Sequence, residues 1–313
     1  AEARNRWAET TVAIVLGIEF TLGDLLIQRA TAQPEQVLFQ ELNESGGGRW
    51  DYTRTLSRVR SVAALLWRDG PRPVLEPEAN RTADGPRVAL LTDNSIASAC
   101  CDLACLTHDI FVTPLNIHFS SEDLTWIFNR LRITVAVCDT PDRLTQLLEI
   151  HENTDHRFQI YTLNASNRVG RPGIDSLDEK RAELDVREID QILAGRPRRT
   201  MHEPTTVMFT SGSTGRPKGV MFSQFNLVSK RFARAAALPE VGRQEVLLCY
   251  LPLFHTFGRY LEMLGTIFWG GTYVFAGNPS VDTLLSQFRE VRPTALISVP
   301  VRWVQISDRA LQI

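Results

Sequence analysis

The chain predicts an α/β fold, with parallel sheets and helices on both faces. Three observations carry that expectation. Short apolar strands alternate with single helical stripes along most of the chain, which implies right-handed crossovers between parallel neighbours. Ile133–Cys138 is a nearly unbroken apolar run, the pattern of a parallel strand buried on both faces. The 313 residues, 43% apolar and 22% charged, supply a sizeable core for about two domains or one large α/β unit.

Residues 1–20 read as an N-terminal extension. Its densest apolar run, Val12–Ile18, is closed by Glu19 and reads as a buried strand or packing segment. Arg4 and Arg6 upstream give it some likeness to a signal peptide, but the run is short and no small-residue cleavage pattern follows. Thr21–Ala32 reads as a helix, with Thr21 as N-cap and Asp24 three residues on. Val37–Leu42 is a strand, Ser45–Gly48 a turn, and Thr55–Arg68 a helix with an apolar stripe at Val59, Val62, Ala63, Leu66 and Trp67. The Pro- and Gly-rich stretch 69–85 is a loop. Val88–Leu91 is a buried strand, and Asn94 is placed to cap the following helix. Ile110–Val112 is a strand ended by Pro114. Ser121–Arg130 is a helix capped by Ser120 or Ser121, and Pro141–His151 is another.

Residues 151–203 are polar and read as a surface excursion with one exposed helix near 176–193, its charges alternating in sign from Asp178 to Asp190. The rhythm resumes with strand Thr206–Phe209, a Gly-rich loop and helix Gln224–Ala237. Strand Glu245–Leu251 precedes helix Phe257–Trp269, strand Thr272–Phe275 precedes helix Val281–Val291, and strand Thr294–Val299 precedes a last helix from Pro300. The expected division is a first α/β subdomain over 21–200 and a second over 201–313.

Composition excludes several classes. Lys and Arg total 34 and Asp and Glu 36, a net charge of −2, too balanced for a general nucleic-acid binder. No run reaches the ~18 apolar residues of a membrane span. Five cysteines argue against a disulfide framework and for a reducing compartment. Cys101, Cys105 and His108 share a helix face but match no common zinc spacing, and read as tight packing on a sheet. His151 and His156 read as solvated. Gly270-Gly271 reads as a helix stop.

The most informative segment runs from Thr210 to Val220: Thr-Ser-Gly-Ser-Thr-Gly-Arg-Pro-Lys-Gly-Val. Its glycines let backbone N–H groups turn toward an anion. The hydroxyls of Thr210, Ser211, Ser213 and Thr214 add donors and a potential metal ligand, and Lys218 adds a cation. That set suits a polyphosphate. Walker A is excluded, since Lys218 is preceded by Pro217 and followed by Gly219.

This loop, ending in Pro-Lys-Gly, resembles the signature loop of the adenylate-forming superfamily, which includes acyl-CoA synthetases, peptide-synthetase adenylation domains and luciferases. Leu251-Pro252-Leu253-Phe254-His255 resembles the family's Pro-x-x-His motif. Val291–Thr294 with Val299-Pro300, and upstream Val88–Asn94 with Pro114-Leu115-Asn116, match in order. The resemblance covers nearly the whole chain from Thr21.

The resemblance implies that a carboxylate attacks the α-phosphorus of ATP, pyrophosphate leaves, and the acyl-adenylate passes its acyl group to a thiol, usually that of coenzyme A. Catalysis would be positioning and charge neutralisation. Thr210, Ser211, Gly212, Ser213, Thr214, Gly215 and Lys218 would hold the phosphates, with Thr210 a Mg²⁺ ligand. Lys218 and His255 are the expected catalytic residues, His255 lying between nucleotide and acid. Phe254, His255, Phe257, Gly258 and Arg259 would line the acyl pocket, with Tyr260 and Met263 adding apolar surface, while Leu261 and Leu264 read as ordinary helix core. In this reading Gly258 leaves room for a chain. His-x-Phe-x-Arg, with Arg259 where some fatty-acid ligases carry a tryptophan gate, resembles the long-chain and very-long-chain acyl-CoA synthetases and favours a fatty acid.

The resemblance also leads one to expect a Thr-Glu motif binding Mg²⁺, a ribose-binding Asp, a hinge and a C-terminal domain with a catalytic Lys, none of which this sequence contains. The expectation is therefore the N-terminal, AMP-binding part of a long-chain fatty acyl-CoA synthetase-like enzyme, weak or inactive alone and requiring the missing C-terminal region. The expected setting is cytoplasmic, with room for peripheral membrane contact, and the expected partners are a carboxylic acid and coenzyme A. Alternatives are a short non-catalytic nucleotide-binding or interaction protein of the same fold, or an enzyme loading an acyl carrier protein.

Overall fold

The computed structural model describes residues 5, 6, 9, 10, 13, 17–42, 48–73, 85–164, 173–210 and 215–311. In chain order the strands are β1 (Val37–Glu41), β2 (Arg49–Asp51), β3 (Arg87–Leu91), β4 (Phe111–Pro114), β5 (Val135–Cys138), β6 (Gln159–Thr162), β7 (Ile174–Ser176), β8 (Pro204–Thr210), β9 (Lys218–Ser223), β10 (Val246–Cys249) and β11 (Thr272–Phe275). The helices are α1 (Leu22–Ala32), α2 (Tyr52–Asp69), α3 (Ile96–Thr107), α4 (Ser121–Leu131), α5 (Pro141–Asn153), α6 (Leu177–Ala182), α7 (Val186–Gly195), α8 (Gln224–Ala237), a π-helical turn (Phe257–Met263) that runs into α9 (Leu264–Trp269), α10 (Val281–Val291) and α11 (Pro300–Ala310).

Two sheets form, ordered β7-β6-β5-β3-β4-β8-β9 and β10-β11-β1-β2. Both are parallel except at the antiparallel pairs β8–β9 and β1–β2. Each sheet draws strands from both sides of residue 200, so the division expected there separates chain segments but not sheets.

The layers run helix, sheet, helix, sheet, helix. The central core joins α1, α2 and α3 to inward residues of both sheets, including Val88 and Val112 from one and Tyr273 and Phe275 from the other. Helices α4 and α5 cover the far face of the larger sheet through Leu124, Phe128 and Leu147. Helix α10 covers the far face of the smaller one through Leu284. Helix α3 is apolar almost all round, and every residue of it but Ala97 is buried. Cys101 and Cys105 belong to that core, and burial raises both thiols well above their ordinary range.

Local signals act as their chemistry dictates at several ends. Thr21 and Asp24 form a reciprocal capping box on α1, and Ser120 caps α4. Elsewhere the structure corrects the sequence reading. Residues 151–203 are not only surface: β6 and β7 extend the larger sheet, and the expected single helix is two, α6 and α7, which pack on α2. Thr294–Val299 makes one bridge, Ala295 to Leu247, and no continuous strand. The described part of Val12–Ile18 is not a buried strand: Ala13 and Gly17 are helical and exposed, and Ile18 is exposed.

Candidate functional site

The signature segment is the connection of a β-hairpin. Lys218 opens β9 rather than sitting in the loop, and it pairs directly with Thr210, the last residue of β8. Residues directly opposite in such a ribbon carry side chains on one face. The Thr210 and Lys218 side chains therefore leave the same face of the ribbon, and both residues are exposed. The Thr210 hydroxyl makes one long contact, 3.4 Å to the Lys218 carbonyl, and Lys218 has no side-chain partner among the described residues. Arg216 is held differently: it pairs with Glu122 at 3.2 Å and stands over the Trp126 ring of α4. Ser211, Gly212, Ser213 and Thr214 lie outside the described residues.

Glycines here serve distinct ends. Gly215 has φ +135°, a conformation that L side chains avoid, and open space beside it. Gly219 is in β9, where a Cβ would meet Val207 at 2.9 Å and Phe209 at 3.1 Å. Its need is packing within the ribbon, a correction to its expected place in an anion-facing loop.

The carboxyl ends of both sheets converge on a cleft of about 850 Å³. From the larger sheet come Asp93 and Asn94 after β3, His118 after β4 and Arg143 after β5. From the smaller come Tyr250, Leu251 and Pro252 after β10, and Gly277 after β11. Such crevices, where strand order reverses, are the usual ligand sites of open α/β sheets. Asn94 does not cap α3; Ser95 does. Instead the Asn94 amide donates to the Leu251 carbonyl at 2.8 Å and its oxygen accepts from the Leu253 N–H at 2.9 Å, tying one sheet to the other beside His255. Arg143 bridges Asp93 at 2.8 Å and Asp139.

His255 is exposed, and its side chain has no partner among the described residues. Phe254 lines the cleft, whereas Thr256 and Phe257 line a second groove of about 550 Å³ with Phe222, Tyr260 and Leu261. His255 thus sits between the residues of the two cavities.

Two residues assigned to the acyl pocket are committed to the protein itself. A Cβ on Gly258 would lie 2.4 Å from the carbonyl oxygens of both Leu251 and Pro252, so the expected room for a chain is filled by backbone. Arg259 is 0% exposed. Its Nε donates to Asp102 Oδ2 at 2.7 Å and its Nη2 to Asp102 Oδ1, while Nη1 donates to Thr206 at 2.7 Å and Tyr260 at 3.1 Å. Burial works against its charge, but Asp102 and Tyr260 outweigh that and hold the guanidinium above its ordinary pKa. Arg259 therefore latches the π-helical turn to α3 and β8 rather than facing a substrate.

Several residues of the site escaped the sequence reading. Asp102, a lone acid in an otherwise apolar helix, was the available signal for a buried partner. Asn94 had a signal for capping only. Glu262 is 0% exposed, and burial pushes it up to about 9 against a backbone hydrogen bond with Leu251 that works the other way. It is therefore protonated at neutral pH, beside Cys249 and Tyr273, which burial also keeps protonated.

Comparison with known proteins gives a consistent assignment. Residues 26–312 match the model of the AMP-binding enzymes. The long-chain-fatty-acid–CoA ligase ACSBG1 of Rattus norvegicus is 30% identical over 209 residues, 64% of this chain. The match spans only 29% of that relative's length. In structure, a long-chain-fatty-acid CoA ligase of Rhodopseudomonas palustris, itself described as putative, superposes with a TM-score of 0.75 at 20% identity, covering 92% of this chain and 65% of that one. ATP-bound MatB of the same organism superposes with a TM-score of 0.71 at 21% identity, covering 92% and 51%. The fold is that of the N-terminal domain of adenylate-forming enzymes. With the family match spanning nearly its whole length, the chain belongs to the AMP-binding enzyme family.

Proposed function

We propose that this chain is the nucleotide- and acid-binding part of an ATP-dependent acid–thiol ligase, which activates a fatty acid as an acyl-adenylate and passes it to coenzyme A. The observation that carries the reading is the hairpin end, where a hydroxyl held only by a 3.4 Å bond to the Lys218 carbonyl and an ammonium with no partner among the described residues lie on one face. ATP fits these residues: an exposed cation and a hydroxyl with free lone pairs are the donor set a polyphosphate needs. Bound there, ATP supplies the activated phosphorus. Mg²⁺ suits the same place, with Thr210 as its one protein hydroxyl, since the ion takes most of its ligands from phosphate and water.

The chain's own groups do the rest. Lys218 neutralises charge that builds on a departing pyrophosphate. Ser211 to Gly215 contribute backbone and hydroxyl donors. His255, between cleft and groove, orients the acid carboxylate. Phe254 and Phe257 present apolar surface to the two sides. Arg259 positions this segment through Asp102 and Thr206 of the strand that carries Thr210. The ligase names of the relatives support a fatty acid, and the ATP held by MatB supports the nucleotide.

The test is equilibrium binding of ATP with Mg²⁺ to the 313-residue protein and to Lys218→Ala. We expect about a tenfold loss of affinity, ~1.4 kcal/mol, with the unfolding midpoint unchanged. Equal affinity in the two proteins would overturn the reading.

A further inference from the structure

We propose that Trp126 of α4 is a positioning residue for the hairpin end that carries Thr210 and Lys218, holding both of its limbs from the face turned away from the ligand. This rests on the phosphate reading of that hairpin and deepens it by naming what keeps the end in place. β9 is the outermost strand of its sheet and has a strand neighbour on one side only among the described residues. Trp126 is itself fixed, because it packs with Phe209 on the core between the larger sheet and α4 and α5. Its ring meets the Phe209 ring edge to face, with 6.4 Å between centroids. Phe209 is the residue of β8 just before Thr210. On the other limb, the Arg216 guanidinium stands 5.8 Å from the Trp126 ring centre and donates to Glu122 at 3.2 Å. Glu122 lies one turn before Trp126, on the same face of the helix. Helix α4 therefore grips the ribbon near the end of β8 and again just before β9.

Strand alternation sets what Trp126 can do. Phe209 pairs directly with Gly219, and Thr210 with Lys218, so the two pairs leave opposite faces of the ribbon. Trp126 lies against the first face, and a phosphate tail held by Thr210 and Lys218 lies on the second. Trp126 acts through the ribbon and not by contact with the nucleotide. Phe209 also covers the bare backbone of Gly219, where a Cβ would come within 3.1 Å of its ring, so the ring that Trp126 braces touches both strands. Pro217, between the exposed Arg216 and Lys218, is buried, which seats the entry to β9 on the protein. Each contact is modest alone, and its worth is geometric. A hydroxyl and an ammonium on an edge ribbon bind a polyphosphate well when the ribbon is already in place, because ordering it on binding costs affinity.

Equilibrium binding of ATP with Mg²⁺ and amide hydrogen exchange of the 313-residue protein test the proposal. In Trp126→Ala we expect ATP affinity to fall about fivefold and exchange of the β9 amides, read without nucleotide, to quicken about tenfold. Trp126→Phe keeps a ring for Phe209 and Arg216 and should return both readings to within about twofold of the unsubstituted protein. Unchanged exchange in Trp126→Ala overturns the proposal. Quickened exchange with unchanged ATP affinity also overturns it, since Trp126 would then be structural only. If Trp126→Ala does not fold, Glu122→Gln at the exposed end of the grip decides. Losing a negative charge beside Arg216 would by itself tighten ATP, whereas a loosened hairpin weakens it, and we expect about a twofold loss. Equal or tighter binding overturns the proposal. A Lys218→Ala protein that binds ATP as tightly as the unsubstituted one sinks the reading above, and exchange without ATP then still tells whether Trp126 holds the hairpin.

Discussion

Two basic residues in two regions show opposite uses of one charge. At the hairpin end, Lys218 is exposed, flanked by a hydroxyl, and uncommitted among the described residues. Beneath the His255 segment, Arg259 is wholly buried, and its guanidinium donates to Asp102, Thr206 and Tyr260. Both stand in motifs that resemble ligand-binding ones. Only the surroundings separate a cation left for a ligand from one that fastens the scaffold. The difference teaches that a site's rigidity is bought from a neighbouring residue of the same chemical kind.

That contrast can be broken by substitution, beginning with the largest effect. Asp102→Ala leaves Arg259 charged, buried and short of its main acceptor, and we expect a loss of about 3–5 kcal/mol in urea unfolding. A loss under ~1 kcal/mol would dissolve the contrast. Glu262→Gln acts through pH. The folded-state pKa of about 9 lies above the ordinary value near 4.5, so the folded protein keeps a proton that the unfolded chain gives up across that window. Stability therefore falls as pH rises from about 4.5 to 9, by at most ~1.4 kcal/mol per pH unit. The Gln variant should flatten that slope and be the more stable protein at pH 8, as read by unfolding curves at several pH values. Asn94→Ala removes both bonds between the sheets and strands the Leu251 carbonyl and Leu253 N–H, for an expected cost of ~1–3 kcal/mol. Lys218→Ala closes the series, with a change in stability within about 0.5 kcal/mol despite its effect on ATP.

Much of the layout was legible because the local pattern and the environment agree. Thr272–Phe275 is continuous and apolar and lies between two strands, and Val281–Val291 is an amphipathic helix started by Ser280. The misreadings arose where long-range contacts decide. Lys218–Ser223 has a mostly exposed edge strand's composition and becomes a strand only by pairing with β8. Gln159–Thr162 and Ile174–Ser176 sit in polar sequence and are strands because β5 offers an edge to the first and the first then offers one to the second. For the site, the Thr-Ser-Gly-Ser-Thr-Gly-Arg-Pro-Lys-Gly segment and the His255 motif stood out in residue order, but the direct pairing of Thr210 with Lys218 across a hairpin did not. Asp102 opposite Arg259 and Asn94 between the sheets could not, because each partner lies far away along the chain.

The smaller sheet has a temporal consequence. Phe39 of β1 pairs with Tyr273 of β11, so β1 has to wait for a strand synthesised far later along the chain. Such distant pairings slow folding and leave apolar edges uncovered meanwhile. Leu38 and Phe39, fully enclosed in the finished protein, are the segment that a chaperone would be expected to shelter until synthesis passes residue 275.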